Sequence, residues 1–244
     1  MADLPDTTAL LAAIAATWPA ASETPLGPCL IRDGRGGGSR VSSAVATGPC
    51  DASDITAAIA AMRKLHQPAQ FMIGPGDAAL DAQLGARGFA IKDKTQLYAA
   101  PIARLTAPKP PPVTSFQVWP PLEAQREIWA AGGITAARVA VMERAACPKA
   151  SFLGRTNDRP AGTAYAGVHD GITMLHALEV SRENRRHGLA ANLTRAVAIW
   201  GQTHGATHVA LATTAANSAA NALYTSLGMT IVGGYHYRIH PDDA

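Results

Sequence analysis

LEVSRENRRHGLAANLTRAVAIWGQT, running from Leu178 to Thr203, decides how this chain is read. It starts inside a short apolar run, Met174 to Val180, with the length and composition of a buried strand. A basic, glycine-containing turn follows: Arg185-Arg186-His187-Gly188-Leu189-Ala190. That turn opens directly into a pattern that sets Leu189, Leu193, Val197 and Trp200 on one helical face. Strand, glycine turn and helix N-terminus together make a device for holding an anion. The first-turn N–H groups have no intrahelical partner, and the helix dipole gives them partial positive charge. Gly188 and the small Ala190 let a ligand approach the backbone, while Arg182, Arg185 and Arg186 add fixed charge. A diphosphate suits such a turn.

Neither G-x-x-x-x-G-K-[ST] nor G-x-G-x-x-G occurs in the chain, which argues against a nucleoside-triphosphate site and against a dinucleotide fold. The next forty residues continue the pattern. Thr207 to Thr213, THVALAT, alternates like a strand, and Ala216-Asn217 leads into SAANALYTSL, a short helical pattern. Gly228 stops that helix. A further strand starts at Met229 and runs through Tyr235-His236-Tyr237-Arg238.

The spacing R-x-x-G-x-A at Arg185, Gly188 and Ala190 closely resembles the acetyl-CoA signature Q/R-x-x-G-x-G/A of the GCN5-related N-acetyltransferases. The stretch from Asn217 to Met229 resembles that family's second signature, N-x-x-A-x-x-L-Y-x-x-x-G-F, with Met229 in place of the usual phenylalanine. The resemblance implies an α+β fold with a mixed, mostly antiparallel central sheet and flanking helices. It implies transfer of an acetyl group from acetyl-CoA to a primary amine by direct attack.

Residue by residue, it assigns the strand end at Leu178, Glu179 and Val180 to the thioester and pantetheine, with backbone groups of Leu178 and Val180 facing them. Arg185, Arg186, His187, Gly188, Leu189 and Ala190 hold the pyrophosphate, and Asn217 and Asn221 reach the cofactor. Tyr224 takes the thiolate-protonating position, where a phenol with a pKa of about 10 matches a basic leaving thiolate. Glu179 is the candidate base and His176 the runner-up, more simply read as a satisfied core histidine. His236 is a candidate for lining the acceptor cleft, and family members also work with no dedicated base. The acceptor is an amine on a small molecule or a protein N-terminus; nucleic acid and membrane are not implied, and a homodimer is allowed. The rival from another class is a non-catalytic CoA-binding or interaction module.

Composition agrees with a globular chain. Its 244 residues are 48% hydrophobic and 16% charged, with 22 glycines and 17 prolines, so it is loop-rich without the signature of disorder. A net charge of +3 is too small to point to nucleic acid. Cys29, Cys50 and Cys147 have no metal-ligand spacing, and an odd count is a poor disulfide framework. The N-terminal apolar stretch carries Asp3 and Asp6 and no basic flank, so it reads as an amphipathic helix and not as a signal peptide. The cytoplasm is the expected compartment.

The proline-rich segment Ala107 to Val113 places a domain boundary between residues 113 and 114. Residues 114–244 are expected to be the acetyl-CoA-binding catalytic domain, with helices near Glu123 to Ala131 and Thr135 to Glu143. Strands are expected at Ser151 to Thr156, Gly162 to His169 and Gly171 to Val180, with a tight hairpin at Asp170-Gly171. Residues 1–113 repeat a fainter version of this order: strands at Cys29 to Arg32 and Val41 to Ala46, a helix at Ser53 to His66, strands at Gln70 to Ile73 and Thr95 to Tyr98. Leu80 to Phe89 parallels Leu223 to Met229. The expectation is a tandem arrangement whose first half is degenerate, lacks the phosphate turn and has Gln83 or Leu84 where the tyrosine would stand. Gly36 to Gly38 precedes a strand pattern, so it is read as a flexible hairpin or substrate-side loop.

Overall fold

The structure, a computed structural model, describes residues 3–243. In the first half α1 (Thr7–Thr17) precedes β1 (Ser22–Leu26), β2 (Cys29–Asp33) and β3 (Ala44–Ala46). Then come α2 (Ala52–Lys64), β4 (Gln70–Ile73), α3 (Ala78–Ala86) and β5 (Ala90–Pro101). The second half begins with β6 (Ser115–Val118), α4 (Glu123–Ala131), α5 (Ala136–Arg144), β7 (Lys149–Thr156) and β8 (Arg159–His169). It ends with β9 (Ile172–Val180), α6 (Leu189–Thr203), β10 (His208–Thr214), α7 (Ser218–Ser226) and β11 (Thr230–Ile239).

Among the described residues these strands form one sheet in the order β1-β2-β3-β4-β11-β5-β10-β9-β8-β7-β6. Its centre is the antiparallel pair β11·β5, and the two wings have the same pairing pattern outward from it. On one side β11·β4 is antiparallel, β4·β3 parallel, β3·β2 and β2·β1 antiparallel. On the other β5·β10 is antiparallel, β10·β9 parallel, β9·β8 and β8·β7 antiparallel. The closing strands cross over: β5 joins the wing built by residues after 114, and β11 joins the wing built by residues before 113. A cut between 113 and 114 therefore does not divide the sheet, although it divides the two runs of elements.

Local chemistry explains the elements near the site. The α6 face of Leu189, Leu193, Val197 and Trp200 is buried, against Phe152, Ala161, Ala164 and Val180. Small residues on the strands set how closely α6 lies: a methyl group at Gly154 would come within 3.0 Å of Leu189 Cδ1. Gly228 follows α7 at φ 75, a left-handed conformation that ends the helix and turns the chain into β11. Asp170 and Gly171, both at positive φ, make the β8–β9 hairpin expected from the sequence.

Three local expectations change. The β3 strand covers only Ala44–Ala46, because Ser39–Val41 forms a 3₁₀ turn. The Gly36 to Gly38 run is a packed loop and not a flexible hairpin: Gly37 is buried, and a methyl on it would meet Val141 and Val41. β1 and β6, both at sheet edges, were not anticipated. Cys29 and Cys50 are buried with sulfurs 3.5 Å apart, and all three cysteines are free.

Candidate functional site

The β9–β10 pair opens along its length. Ladder partners run from Ile172↔His208 to Leu175↔Leu211 and stop there, although β9 continues to Val180 and β10 to Thr214. A bulge sets the divergence. Against β8, Tyr165 faces His176 and Thr163 faces Glu179, so Ala164 is left opposite two residues. Ala177 carries the strain at φ 50, and the indole N–H of Trp129 donates to its carbonyl at 2.8 Å. Trp129 is fully buried on α4, so a rigid helix holds the bulge in place.

A cavity of about 320 Å³ fills the opening, lined by His176 to Leu178 of β9, Leu211 to Thr214 of β10, and Asn217, Ala220 and Tyr224 of α7. Tyr224 is 6% exposed and its ring sits 5.8 Å from that of Tyr98. Burial pushes its phenol well above the usual tyrosine range, so it stays protonated at neutral pH. Among the described residues its hydroxyl has no hydrogen-bond partner, which leaves the proton available to the cavity.

At the outer end of β9 lies the turn into α6. Gly188 occupies the N-cap position at φ 80 and, having no side chain, caps nothing. The exposed N–H groups of Arg186, His187 and Gly188, with the first-turn N–H groups of Leu189 and Ala190, have no protein acceptor among the described residues. Arg186 is itself in the left-handed region at φ 65, which helps turn these donors outward. An opening between parallel strands, a buried phenol beside it and an uncapped helix N-terminus follow one another from β9 into α6.

Residues 114–229, just under half of the chain, match the model of the acetyltransferase (GNAT) family. Over these residues the chain is similar to the GNAT acetyltransferases, which is consistent with an acyltransferase. The fold as a whole is similar to that of a GCN5-related N-acetyltransferase from Kribbella flavida, at 21% identity and a TM-score of 0.72, covering 95% of this chain and 94% of that one. A conserved protein of unknown function from Staphylococcus epidermidis is similar at 14% identity and a TM-score of 0.67, covering 88% and 91%. A tandem GNAT protein from the clavulanic acid biosynthesis pathway is similar at 15% identity and a TM-score of 0.57, covering 81% and 74%. At such identities these likenesses establish the fold alone. No curated protein sequence matches the chain.

Within the GNAT frame the structure sorts the expected residues. Leu178 and Tyr224 meet in the cavity, and Asn217 lines it while capping α7 through Ala220 N at 3.1 Å. Leu178 and Val180 both belong to the core on the α6 side of the sheet. Glu179 does not join Tyr224. Strand alternation sends it to a groove beside Glu127, Ile128 and Gly132, where Arg185 Nη2 donates to it at 3.0 Å. Arg185 also donates from Nε to Val180 O at 3.0 Å, so its guanidinium braces the strand end and does not face the open turn. Asn221 is consumed by the protein: it donates to Thr214 and Ala215 carbonyls and accepts from Tyr98 Oη at 3.0 Å.

His176 is a core histidine, 4% exposed. Its Nδ1 meets Arg40 Nη1 at 3.3 Å and its Nε2 meets Thr17 Oγ1 at 2.8 Å. Since a guanidinium only donates, Nδ1 must accept and Nε2 carries the proton. His236 turns away from the cleft to Asp81 at 2.9 Å, because its strand neighbours Tyr235 and Tyr237 take the cleft side. A second cavity of about 240 Å³ adjoins the first, sharing Arg40, Thr95, Arg138, Ala177 and Thr214 with it and adding Trp18, Gly38 and Ile134. Sequence reasoning missed Arg40 and Arg138. The glycine run that packs on α5 just before Arg40 was the one available hint.

Proposed function

We propose that the chain moves an acetyl group from acetyl-CoA to a primary amine by direct attack, at one site per chain. The observation that carries this reading is the opening of β9 from β10 with Tyr224 at its rim. The pantetheine arm would run through the opening, with its diphosphate on the turn from Arg186 to Ala190, where free N–H groups and the α6 dipole meet it. The amine nitrogen attacks the thioester carbon, the C–S bond breaks, and the departing thiolate takes the Tyr224 proton. The amine's surplus proton passes to solvent, since Glu179 is tied to Arg185 on the other side of the sheet and His176 has both nitrogens engaged.

The first half reads as a degenerate copy that shapes the acceptor side and holds no cofactor. The mirrored pairing of the two wings supports this. So does the helix N-terminus of α2, which answers to that of α6 but is already filled. The Asp51 carboxylate accepts from Ser53 N at 2.7 Å and Asp54 N at 3.0 Å, and Pro49 supplies no N–H. A diphosphate there would meet a carboxylate instead of open donors. Leu84, four residues before Gly88, stands where Tyr224 stands before Gly228, and it has no proton to give.

The test is release of free CoA from acetyl-CoA across a panel of amines, joined to calorimetry of acetyl-CoA binding. Gly188→Val places a branched residue at φ 80 in the turn, where L side chains are strained, and should weaken acetyl-CoA by about tenfold, near 1.4 kcal/mol. Unchanged affinity in a folded Gly188→Val protein overturns the diphosphate site. Binding without CoA release for every amine would favour the CoA-binding module over the enzyme.

A further inference from the structure

The floor between the two adjoining cavities holds two positive charges with no counter-charge. Arg40 comes from the loop before β3 and Arg138 from α5, so each half of the chain supplies one. Arg40 Nε donates to Tyr235 Oη at 3.3 Å and its Nη1 to His176 Nδ1 at 3.3 Å, and neither partner is a carboxylate. Arg138 lies across Gly38, its Nη2 3.2 Å from where a methyl group on that glycine would sit. Neither forms an ion pair with any carboxylate among the described residues.

Three other half-buried arginines each have a carboxylate, whereas Arg144 has only the Pro19 carbonyl among the described residues. Arg32 pairs with Glu23, Arg238 with Asp81 and Arg126 with Glu143. Arg40 is half-buried, and a guanidinium so placed without a carboxylate costs stability; Arg138 is exposed and lines both cavities. No acidic residue lines the cavity at Tyr224. In the adjoining one the single carboxylate is Asp93, which is exposed and beyond ion-pair distance of both arginines.

We infer that the acceptor carries an oxyanion, a carboxylate or a phosphomonoester, in addition to its amine, and that Arg40 and Arg138 bind it. This rests on the acetyltransferase reading for the amine, but the anion site is a separate claim. Two planar guanidinium forks are suited to a carboxylate or phosphate oxygen pair. Cavities of about 240 and 320 Å³ fit a small molecule better than a protein surface. The anion would anchor one end of the acceptor on the arginines while its amine reaches the opening beside Tyr224.

The experiment is calorimetric titration of the full chain, saturated with CoA, with four amines in two pairs. 4-Aminobutyrate is paired with 1-aminobutane, and O-phosphoethanolamine with ethanolamine. The expected result is that at least one anionic amine binds about tenfold or more tightly than its neutral twin, and which pair shows it separates carboxylate from phosphate. Arg40→Gln is the direct variant, and because Arg40 touches His176 and Tyr235 its melting temperature is measured alongside. Arg138→Gln, on an exposed side chain, is the second; it should shrink the ratio to about threefold or less with CoA still bound. Equal binding of the twins, binding of none of the four, or an Arg138→Gln effect confined to CoA affinity overturns the anion site. Selective binding of an anionic amine without CoA release would instead overturn the transferase reading and leave the anion site standing.

Discussion

Tyr224 owes its proposed role to where burial places it. A phenol in water already keeps its proton at neutral pH; burial against Tyr98 raises its pKa further, and a thiolate departing into the same buried opening is made more basic by the same loss of water, which keeps the pair matched. Tyr224→Phe keeps the ring and removes the proton. Turnover should fall by roughly 10- to 1,000-fold, toward the range general acids contribute, while acetyl-CoA affinity barely moves. Near-wild-type turnover with any accepted amine would reduce Tyr224 to packing. His176 gives a second, independent prediction. Burial, and secondarily the Arg40 charge, holds its imidazole well below the usual histidine range, so the folded chain keeps it neutral. In the unfolded chain it protonates near pH 6.5. Its contribution is therefore fully present above that pH and is lost as pH falls through and below it, at up to about 1.4 kcal/mol per pH unit. Urea denaturation should show a less stable protein at pH 5.0 than at pH 7.5. A His176→Asn variant should lose less between the two, and an identical pH dependence in that variant would remove His176 from the account.

At the scale of elements, the device that matters most is the bulge in β9 and the helix that grips it. The Trp129 indole bond to Ala177 O joins α4 to the residue at which β9 parts from β10. Trp129→Phe preserves most of the buried ring but leaves that carbonyl unpaired, which should cost about 1–3 kcal/mol in urea denaturation. At temperatures where the variant is fully folded, CoA release should still be slowed several-fold, because Leu178 and Tyr224 no longer meet in a fixed geometry. Full activity in a destabilised variant would show that the bulge matters for folding alone. The strand, turn and helix from Met174 to Thr203 were legible in the sequence because an anion-binding helix start is a local object: glycine, flanking strand and amphipathic period all lie within thirty residues. The α7 segment was legible for the same reason. The edge strands were not. All five residues of β1 are polar, proline or half-exposed, since an edge strand buries little and has no reason to alternate. The acceptor cleft was equally hidden, because Arg40, Arg138 and Tyr235 lie on three distant segments and each alone looks like an ordinary surface residue. Glu179 was misplaced by one strand alternation, which the bulge at Ala177 decides and no residue pattern announces.

The exchange of closing strands is a property of the whole molecule that no local pattern encodes, since a strand's sequence does not name its neighbours. Its consequence is that the two halves depend on one another. Residues 114–244 alone would leave β10 without β5 along its antiparallel edge, from His208↔Pro101 to Thr214↔Thr95. They would also leave β11 with no partner at all, because β4 and β5 are the strands it pairs with. Tyr98 of β5 would be missing beside Tyr224, and with it the bond that holds Asn221 and the start of α7. A fragment of residues 114–244 should therefore bind acetyl-CoA far more weakly than the full chain, although every signature residue is present in it. Adding a fragment of residues 1–113 should restore binding, with calorimetry giving one cofactor per pair. The full chain should likewise bind one acetyl-CoA, because Asp51 already fills the α2 N-terminus while that of α6 is open. A stoichiometry of two would give the first half a working site and end its reading as a degenerate copy. Full-strength binding by residues 114–244 alone would show that the exchanged strands hold the halves together without building the site.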